Sequence, residues 1–421
     1  MTLRLVHKLK RSCTRFASSS ISHTDERAKF TGSKKTNFTH ELKYLNPLEQ
    51  PAFPTFRVLD NHGNIKTDDA PKLSDEELVK IYRSMALLSK MDKILLQSQR
   101  QGRVSFYMTC SGEEAAVVGS AAALQDVDTV FTQYREVGVF LWRGFTLQDV
   151  MHQCFSTHKD NTKGRQMPIH YSAKKLNIQC VSSTLATQVP NAVGYAYSNK
   201  IKGIKAVTVT YFGEGAASEG DVHAAMNMAA VLRCPTIFIC RNNGYAISTS
   251  TEDQYAGDGI VVRGYGYGMR SLRVDGNDLF AVHKAVSDAR KVALENSCPV
   301  LIELMTYRVG HHSTSDDSTA YRSIDEVNYW NKEDSPVGRL GLYLMKRKLW
   351  DAEKENSYAK ECRKEIMAAF NVAESALKPS PYLVFDDVYD SHSTQIAEQK
   401  EHLEEHLKIY GEHYNLKDYD V

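Results

Sequence analysis

Several features are scarce in this sequence, and each scarcity removes a class of protein. No apolar run approaches the ~20 residues that a membrane-spanning helix needs. The eight cysteines are scattered and include no Cys-x-x-Cys pair. That argues against a disulfide framework and for reduced thiols in a reducing compartment. A charge excess is lacking too: 52 basic residues against 51 acidic ones leave +1. Nothing electrostatic therefore favours nucleic acid or an acidic membrane surface as a partner. There is no internal repeat. Acids are also absent before Asp25, where Arg4, Lys8, Lys10, Arg11 and Arg15 interleave with Leu3, Leu5, Val6 and Leu9, and Ser18, Ser19 and Ser20 follow. An acid-poor amphipathic start of this kind reads as a mitochondrial transit peptide, expected within residues 1–35.

What is present is an ordinary globular composition, 42% hydrophobic over 421 residues. Residues 36–72 are rich in Asn, Pro, Thr and Asp and are expected to form an extended arm. The pair Ser74 and Glu77 is a capping box, so a helix should start there, its apolar face carrying Leu78, Ile81, Tyr82, Met85, Leu88 and Leu95. Residues 112–124 and 181–200 read as small-residue helices, the second entered through Ser182 and Ser183. Residues 206–212, 235–240 and 300–306 read as buried strands. The alternation predicts an α/β fold, a doubly wound and mostly parallel sheet flanked by helices over residues 73–376. Residues 377–421, with a helix around Leu403, Leu407 and Tyr410, are expected to form a tail that docks on a partner subunit.

The most informative segment runs from Gly213-Glu214-Gly215 to Asn242-Asn243-Gly244-Tyr245. A Gly-acid-Gly turn ends one strand, a helix follows, and a second strand ends in paired asparagines. This is a βαβ unit, and in such sheets ligands bind beyond the strand carboxyl ends. Mg²⁺ prefers a few protein oxygens plus phosphate oxygens and water. Glu214 offers a carboxylate, Asn243 an amide oxygen and Tyr245 a backbone carbonyl. Gln133-Tyr134-Arg135-Glu136 follows the short run Thr129–Phe131, and Arg135 could fork onto phosphate or form a surface ion pair. The loop Gly310-His311-His312-Ser313-Thr314-Ser315-Asp316-Asp317 is polar, and its adjacent histidines lack the usual metal-ligand spacing.

From about residue 45 onward these segments resemble the α subunits of the branched-chain 2-oxo acid dehydrogenases, which use thiamine diphosphate. Glu214 stands where such motifs usually carry Asp. The related pyruvate dehydrogenase α subunits differ at that turn and in the 312–317 loop. The resemblance implies thiamine diphosphate-dependent oxidative decarboxylation of the 2-oxo acids of Leu, Ile and Val. It also implies transfer of the acyl group to lipoyl on a separate acyltransferase core. A scaffold that has kept the fold without the cofactor is the alternative of another class.

By the same resemblance, Tyr134, Arg135, Gly215, Ala216, Arg241 and His312 would contact the diphosphate, His312 also assisting acyl transfer. Ser183 and Leu185 would face the thiamine. Glu214, Asn243 and Tyr245 would hold Mg²⁺. Ser182, Thr184, Thr187 and Gln188 would hold K⁺, with Thr184 standing where the family usually has Pro. Ser313 and Ser323 match positions phosphorylated by a regulatory kinase and reset by a phosphatase. A β subunit would supply the glutamate that acts on the aminopyrimidine, giving an α₂β₂ heterotetramer in the mitochondrial matrix.

Overall fold

The computed structural model describes residues 27–28, 30–32, 34 and 36–420. Most of the expected transit segment, residues 1–26 among them, lies outside the described residues. The chain divides into residues 1–51 and residues 52–421. In the first unit, Arg27–Ala28 pairs antiparallel with Thr36–Asn37, and Asn46 caps a short turn at Pro47–Glu49.

The second unit is built on a six-stranded parallel sheet. Its strands are β1 (Thr55–Phe56), β2 (Thr129–Phe131), β3 (Thr208–Gly213), β4 (Thr236–Asn242), β5 (Arg270–Asp275) and β6 (Val300–Met305). They lie side by side in the order β1-β5-β6-β4-β3-β2. The central strands β3 and β4 are buried along their length apart from Gly213 at the end of β3, which is why they read as apolar runs. Their side chains alternate between two cores, one on each face. Ile237 and Ile239 join one, while Phe238 and Cys240 join the other. Helices α1 (Asp75–Arg100), α2 (Glu114–Ala122) and α5 (Leu279–Asn296) cover the first face. Helices α3 (Gln188–Lys202) and α4 (Gly220–Leu232) cover the second. The sheet is therefore doubly wound, as the sequence predicts.

Helix α1 begins with the full Ser74–Glu77 capping box and buries all six residues predicted for its apolar face. One expectation fails. The helix predicted over 181–200 starts only at Gln188, because Ala186 is buried at φ 65° and interrupts the right-handed path. Residues 181–187 are instead an irregular loop, and no side chain caps the helix that follows. Near the C-terminus, Lys378 bridges to Tyr419 and Asp387 pairs with Lys163 and Arg165 of the same unit. The helix Thr394–Tyr410 buries none of its residues. No helix among the described residues is long and apolar enough to cross a membrane. All seven described cysteines are free thiols.

Candidate active site

Strands β3 and β4 end side by side, Gly213 opposite Arg241, so the turn after β3 faces the asparagine pair after β4. Beyond these ends lies a cleft of about 290 Å³. Its wall includes Tyr134, Arg135, Leu185, Glu214, Gly215, Ala216, Arg241, Asn243, Tyr245, Arg308 and His312. The turn packs tightly. A Cβ on Gly215 would sit 2.5 Å from the Ala246 methyl, closer than carbon atoms approach.

One side of the cleft is cationic. Arg135 Nη1 donates to the Thr109 carbonyl (2.8 Å) and Nη2 to the His312 carbonyl (2.6 Å). Arg308 donates to the carbonyls of Tyr245 (3.1 Å) and Ile247 (2.7 Å) and to the Tyr321 hydroxyl (2.8 Å). Both arginines are buried, and among the described residues neither forms an ion pair. Burial and the neighbouring Arg135 charge push the Arg308 pKa down, and its Nε has no partner. Two guanidiniums held together out of water, with no carboxylate in ion-pair contact among the described residues, call for an anion. His312 lies between them, its Nδ1 3.3 Å from Arg135 Nη2 and 3.4 Å from Arg308 Nη1. Burial first, then the two arginine charges, push its pKa down to about 4. The ring is neutral at pH 7. Nδ1 faces donors, so the ring proton belongs on Nε2.

The other side is anionic. Arg241 is held by Glu113 and Glu136, each 2.5 Å away and fully buried. The Glu136 contact is close but not aligned as a hydrogen bond. Asn243 Nδ2 also reaches Glu113 (3.3 Å). Glu214 accepts from the Asn243 N–H (3.2 Å), and burial, with Glu113 nearby, raises its pKa. Glu114, adjacent in sequence, is pushed up to about 8 by burial. These carboxylates exceed the single arginine among them, and a cation beside Glu214 would relieve the excess. Among the described residues no group of three or more His, Cys, Asp or Glu side chains is arranged to hold a metal. A mixed oxygen set is what this side offers. Asn243 Oδ1 accepts from the Tyr245 N–H (3.3 Å), and the Tyr245 carbonyl, already taking Arg308, keeps a second lone pair. Arg241 lines the cleft, but both of its terminal nitrogens are committed to carboxylates.

The loop before α3 gathers neutral oxygens. Thr187 Oγ1 lies 2.9 Å from the Thr184 carbonyl and 3.3 Å from Ser182 Oγ. Gln188 turns its amide nitrogen to the Tyr211 carbonyl (2.8 Å). Uncharged oxygens at this spacing suit a monovalent cation. Leu185 lines the cleft and is 40% exposed, whereas Ser183 does not line it and turns its hydroxyl to His170.

The 310–322 loop is pinned at several points. Asp316 accepts from the His312 N–H and the Tyr321 hydroxyl, 2.7 Å each. Arg322 donates to the carbonyls of Arg308, Val309 (3.0 Å) and Gly310 (2.7 Å). Ser313 is half-buried. Ser323 is exposed and caps the helix Ile324–Lys332 through the Glu326 N–H (3.1 Å). Sequence reasoning missed Arg308, Glu113 and Glu136. Glu136 was visible beside Arg135, but its partner is 105 positions away, and nothing local marks such a pair.

Residues 82–382 match the family described as dehydrogenase E1 component. The chain belongs to the dehydrogenase E1 component family. The E1 component family is thiamine diphosphate-dependent. Among its relatives is the 2-oxoisovalerate dehydrogenase subunit alpha, mitochondrial, of Mus musculus, 52% identical over 94% of this chain and 90% of that protein. The Homo sapiens protein of the same name is also 52% identical, over 95% of this chain and 90% of its own length. The Arabidopsis thaliana 2-oxoisovalerate dehydrogenase subunit alpha 2, mitochondrial, is 50% identical over 87% of this chain and 78% of that protein.

Proposed function

We propose that this E1 component chain is the α subunit of a mitochondrial 2-oxoisovalerate dehydrogenase. It acts in the oxidative decarboxylation of branched-chain 2-oxo acids and in passing the acyl group to lipoyl on an acyltransferase core. One observation carries the reading most directly. Two guanidiniums without ion-pair contacts and a neutral His312 face Glu214 and Asn243 across one cleft, a set that would suit a diphosphate together with a divalent cation.

Arg135, Arg308 and His312 Nε2 would bind the diphosphate, with Tyr134 and the turn at Gly215 and Ala216 beside them. Arg241, locked between Glu113 and Glu136, orients the asparagine pair and adds positive charge behind it. Glu214, Asn243 and the Tyr245 carbonyl would hold Mg²⁺. Ser182, Thr184, Thr187 and Gln188 would hold K⁺ and keep the 182–188 loop shaped, with Leu185 against the organic part of the cofactor. The bound cofactor supplies an electron sink as CO₂ leaves. His312, neutral with its proton on Nε2, would act during acyl transfer as a hydrogen-bond donor that keeps its proton.

A β subunit completes the site in an α₂β₂ assembly. A kinase acting on Ser313 would place charge near −2 beside the diphosphate and loosen the loop, with a phosphatase reversing it. Residues 1–35 are proposed to be the matrix-targeting segment, 36–72 the arm, 73–376 the cofactor domain and 377–421 the tail that meets other subunits.

The test uses the chain co-expressed with its β partner. Decarboxylation of 4-methyl-2-oxopentanoate and of pyruvate is followed with an artificial electron acceptor, with and without thiamine diphosphate and Mg²⁺. Cofactor-dependent turnover favouring the branched substrate is expected. Preference for pyruvate overturns the substrate. Absence of turnover in an intact assembly overturns the catalytic reading in favour of a scaffold.

A further inference from the structure

Glu303 interrupts an otherwise apolar strand. β6 reads Val-Leu-Ile-Glu-Leu-Met, and the Glu303 side chain is fully buried within it. A carboxylate there is costly unless its oxygens are answered. Four N–H donors answer them. Oε1 accepts from Asn242 Nδ2 (2.9 Å) and from the Ile260 N–H (2.8 Å). Oε2 accepts from the Val261 N–H (3.1 Å) and from Arg273 Nε (3.0 Å). A neutral amide is no substitute, because its own N–H groups would face two of these donors. The backbone is fitted to the group as well. Gly259 has φ 69°, and a Cβ there would sit 2.6 and 2.7 Å from the two carboxylate oxygens.

Several segments thus meet on one side chain. Arg273, on β5, passes the connection to Asp258 (2.8 Å), which takes the Phe53 N–H of the arm (2.6 Å). Ile260 and Val261 close the loop that follows Gln254, a residue of the cleft wall. Asn242 is the last residue of β4 and directly precedes Asn243. Successive side chains on a strand point to opposite faces. Asn242 turns to Glu303, so Asn243 turns the other way, toward Glu113 and the cleft. Asn242 does not line the cleft itself. Its Nδ2 has a second hold, the Tyr255 hydroxyl (2.9 Å), and its carbonyl takes the Thr306 N–H (2.8 Å).

We infer that Glu303 is a positioning residue: by gripping the Asn242 side chain it sets where the Asn243 amide stands, and so sets the affinity of the cleft for its divalent cation. This rests on the reading of the cleft as a thiamine diphosphate and Mg²⁺ site. Tyr255 shares the task, because it takes the other N–H of the same amide.

The experiment uses the assembled α/β enzyme and four variants: Asn242→Ala, Glu303→Gln, the double variant and Tyr255→Phe. Mg²⁺ affinity is measured by calorimetry at saturating thiamine diphosphate, alongside the cofactor-free thermal midpoint. Asn242→Ala and Glu303→Gln should each weaken Mg²⁺ binding about 10-fold, the loss of one well-placed hydrogen bond. The double variant should be within about 3-fold of the poorer single one, because Glu303 acts through Asn242. An effect of the Glu303 charge on the cation, or a general loosening of the fold, would instead multiply with the loss from Asn242→Ala. Tyr255→Phe removes only a hydroxyl and keeps the ring, so it folds whatever Glu303→Gln does, and it should weaken Mg²⁺ binding about 3-fold. Multiplied losses in the double variant overturn the inference. So does unchanged Mg²⁺ affinity in Asn242→Ala or Tyr255→Phe, even if the thermal midpoint falls. A wild-type enzyme that binds no thiamine diphosphate, or binds it without Mg²⁺, defeats the reading of the cleft itself, a result distinct from failure in the variants alone.

Discussion

His312 lies between two cations and stays neutral, and that has a measurable sign. Its ordinary pKa of about 6.5 falls to about 4 in the folded chain. Below pH 6.5 the unfolded chain takes up the proton first, so stability is lost as pH falls from 6.5 toward 4, and is level above 6.5. A His312→Gln variant lacks that dependence. Lowering the pH from 7.5 to 5.5 should therefore reduce the thermal midpoint of wild type more than that of the variant. Equal shifts would show that the pKa of this ring is not lowered in the folded chain. At this scale the sequence was only half legible. Glu214 and Asn243 announce themselves in short motifs, whereas Arg135 by itself reads equally well as a surface ion pair, and the fold instead buries it without one. Arg308 does not announce itself, because its use depends on the absence of an ion-pair contact, and only the folded chain shows that.

Ser313 in the loop Gly310–Arg322 and Ser323 at the start of the helix after it have different surroundings. Ser313 adjoins His312, whose carbonyl takes Arg135, and it sits near Asp316. Negative charge there competes for the arginines and repels a bound diphosphate. Ser323 is a helix N-cap, where negative charge is favoured by the exposed N–H groups. Ser313→Glu should weaken thiamine diphosphate binding about 10-fold or more in calorimetry, and Ser323→Asp should leave it within about 2-fold. Ser323→Ala should cost about 1 kcal/mol of local stability, read as faster hydrogen exchange over 324–328. Comparable binding in both acidic variants would sink this distinction. Elements with their own period and caps were the readable ones: α1 follows its capping box, and β3 and β4 follow their apolar runs. The 181–187 loop was misread because a hydroxyl cluster resembles a helix start. The left-handed Ala186 that prevents one leaves no mark in the sequence.

For the whole molecule, the anionic half of the cleft is a standing cost that a cation would repay. The folded-state pKa of Glu214 is raised, so its charge weakens the fold progressively as pH rises above about 4.5. Glu214→Gln should raise the cofactor-free thermal midpoint, and the gap over wild type should widen between pH 5 and pH 8. The same variant should lose the Mg²⁺-dependent shift that cofactor gives wild type, about 2.7 kcal/mol at a hundredfold excess over Kd. A variant less stable than wild type without cofactor would contradict this account. The sheet order could not be read from the chain, although its class could. Strand alternation declares a parallel sheet, but which strands neighbour which is decided by packing between distant segments, as with β1 against β5.

The tight turn at Gly215 has an evolutionary consequence. Its missing side chain and the Ala246 methyl occupy what is nearly one volume, from two loops thirty-one positions apart. Neither site can drift alone toward a larger residue. A lineage that gains a methyl at 215 must lose one at 246, so the two positions should change together or not at all.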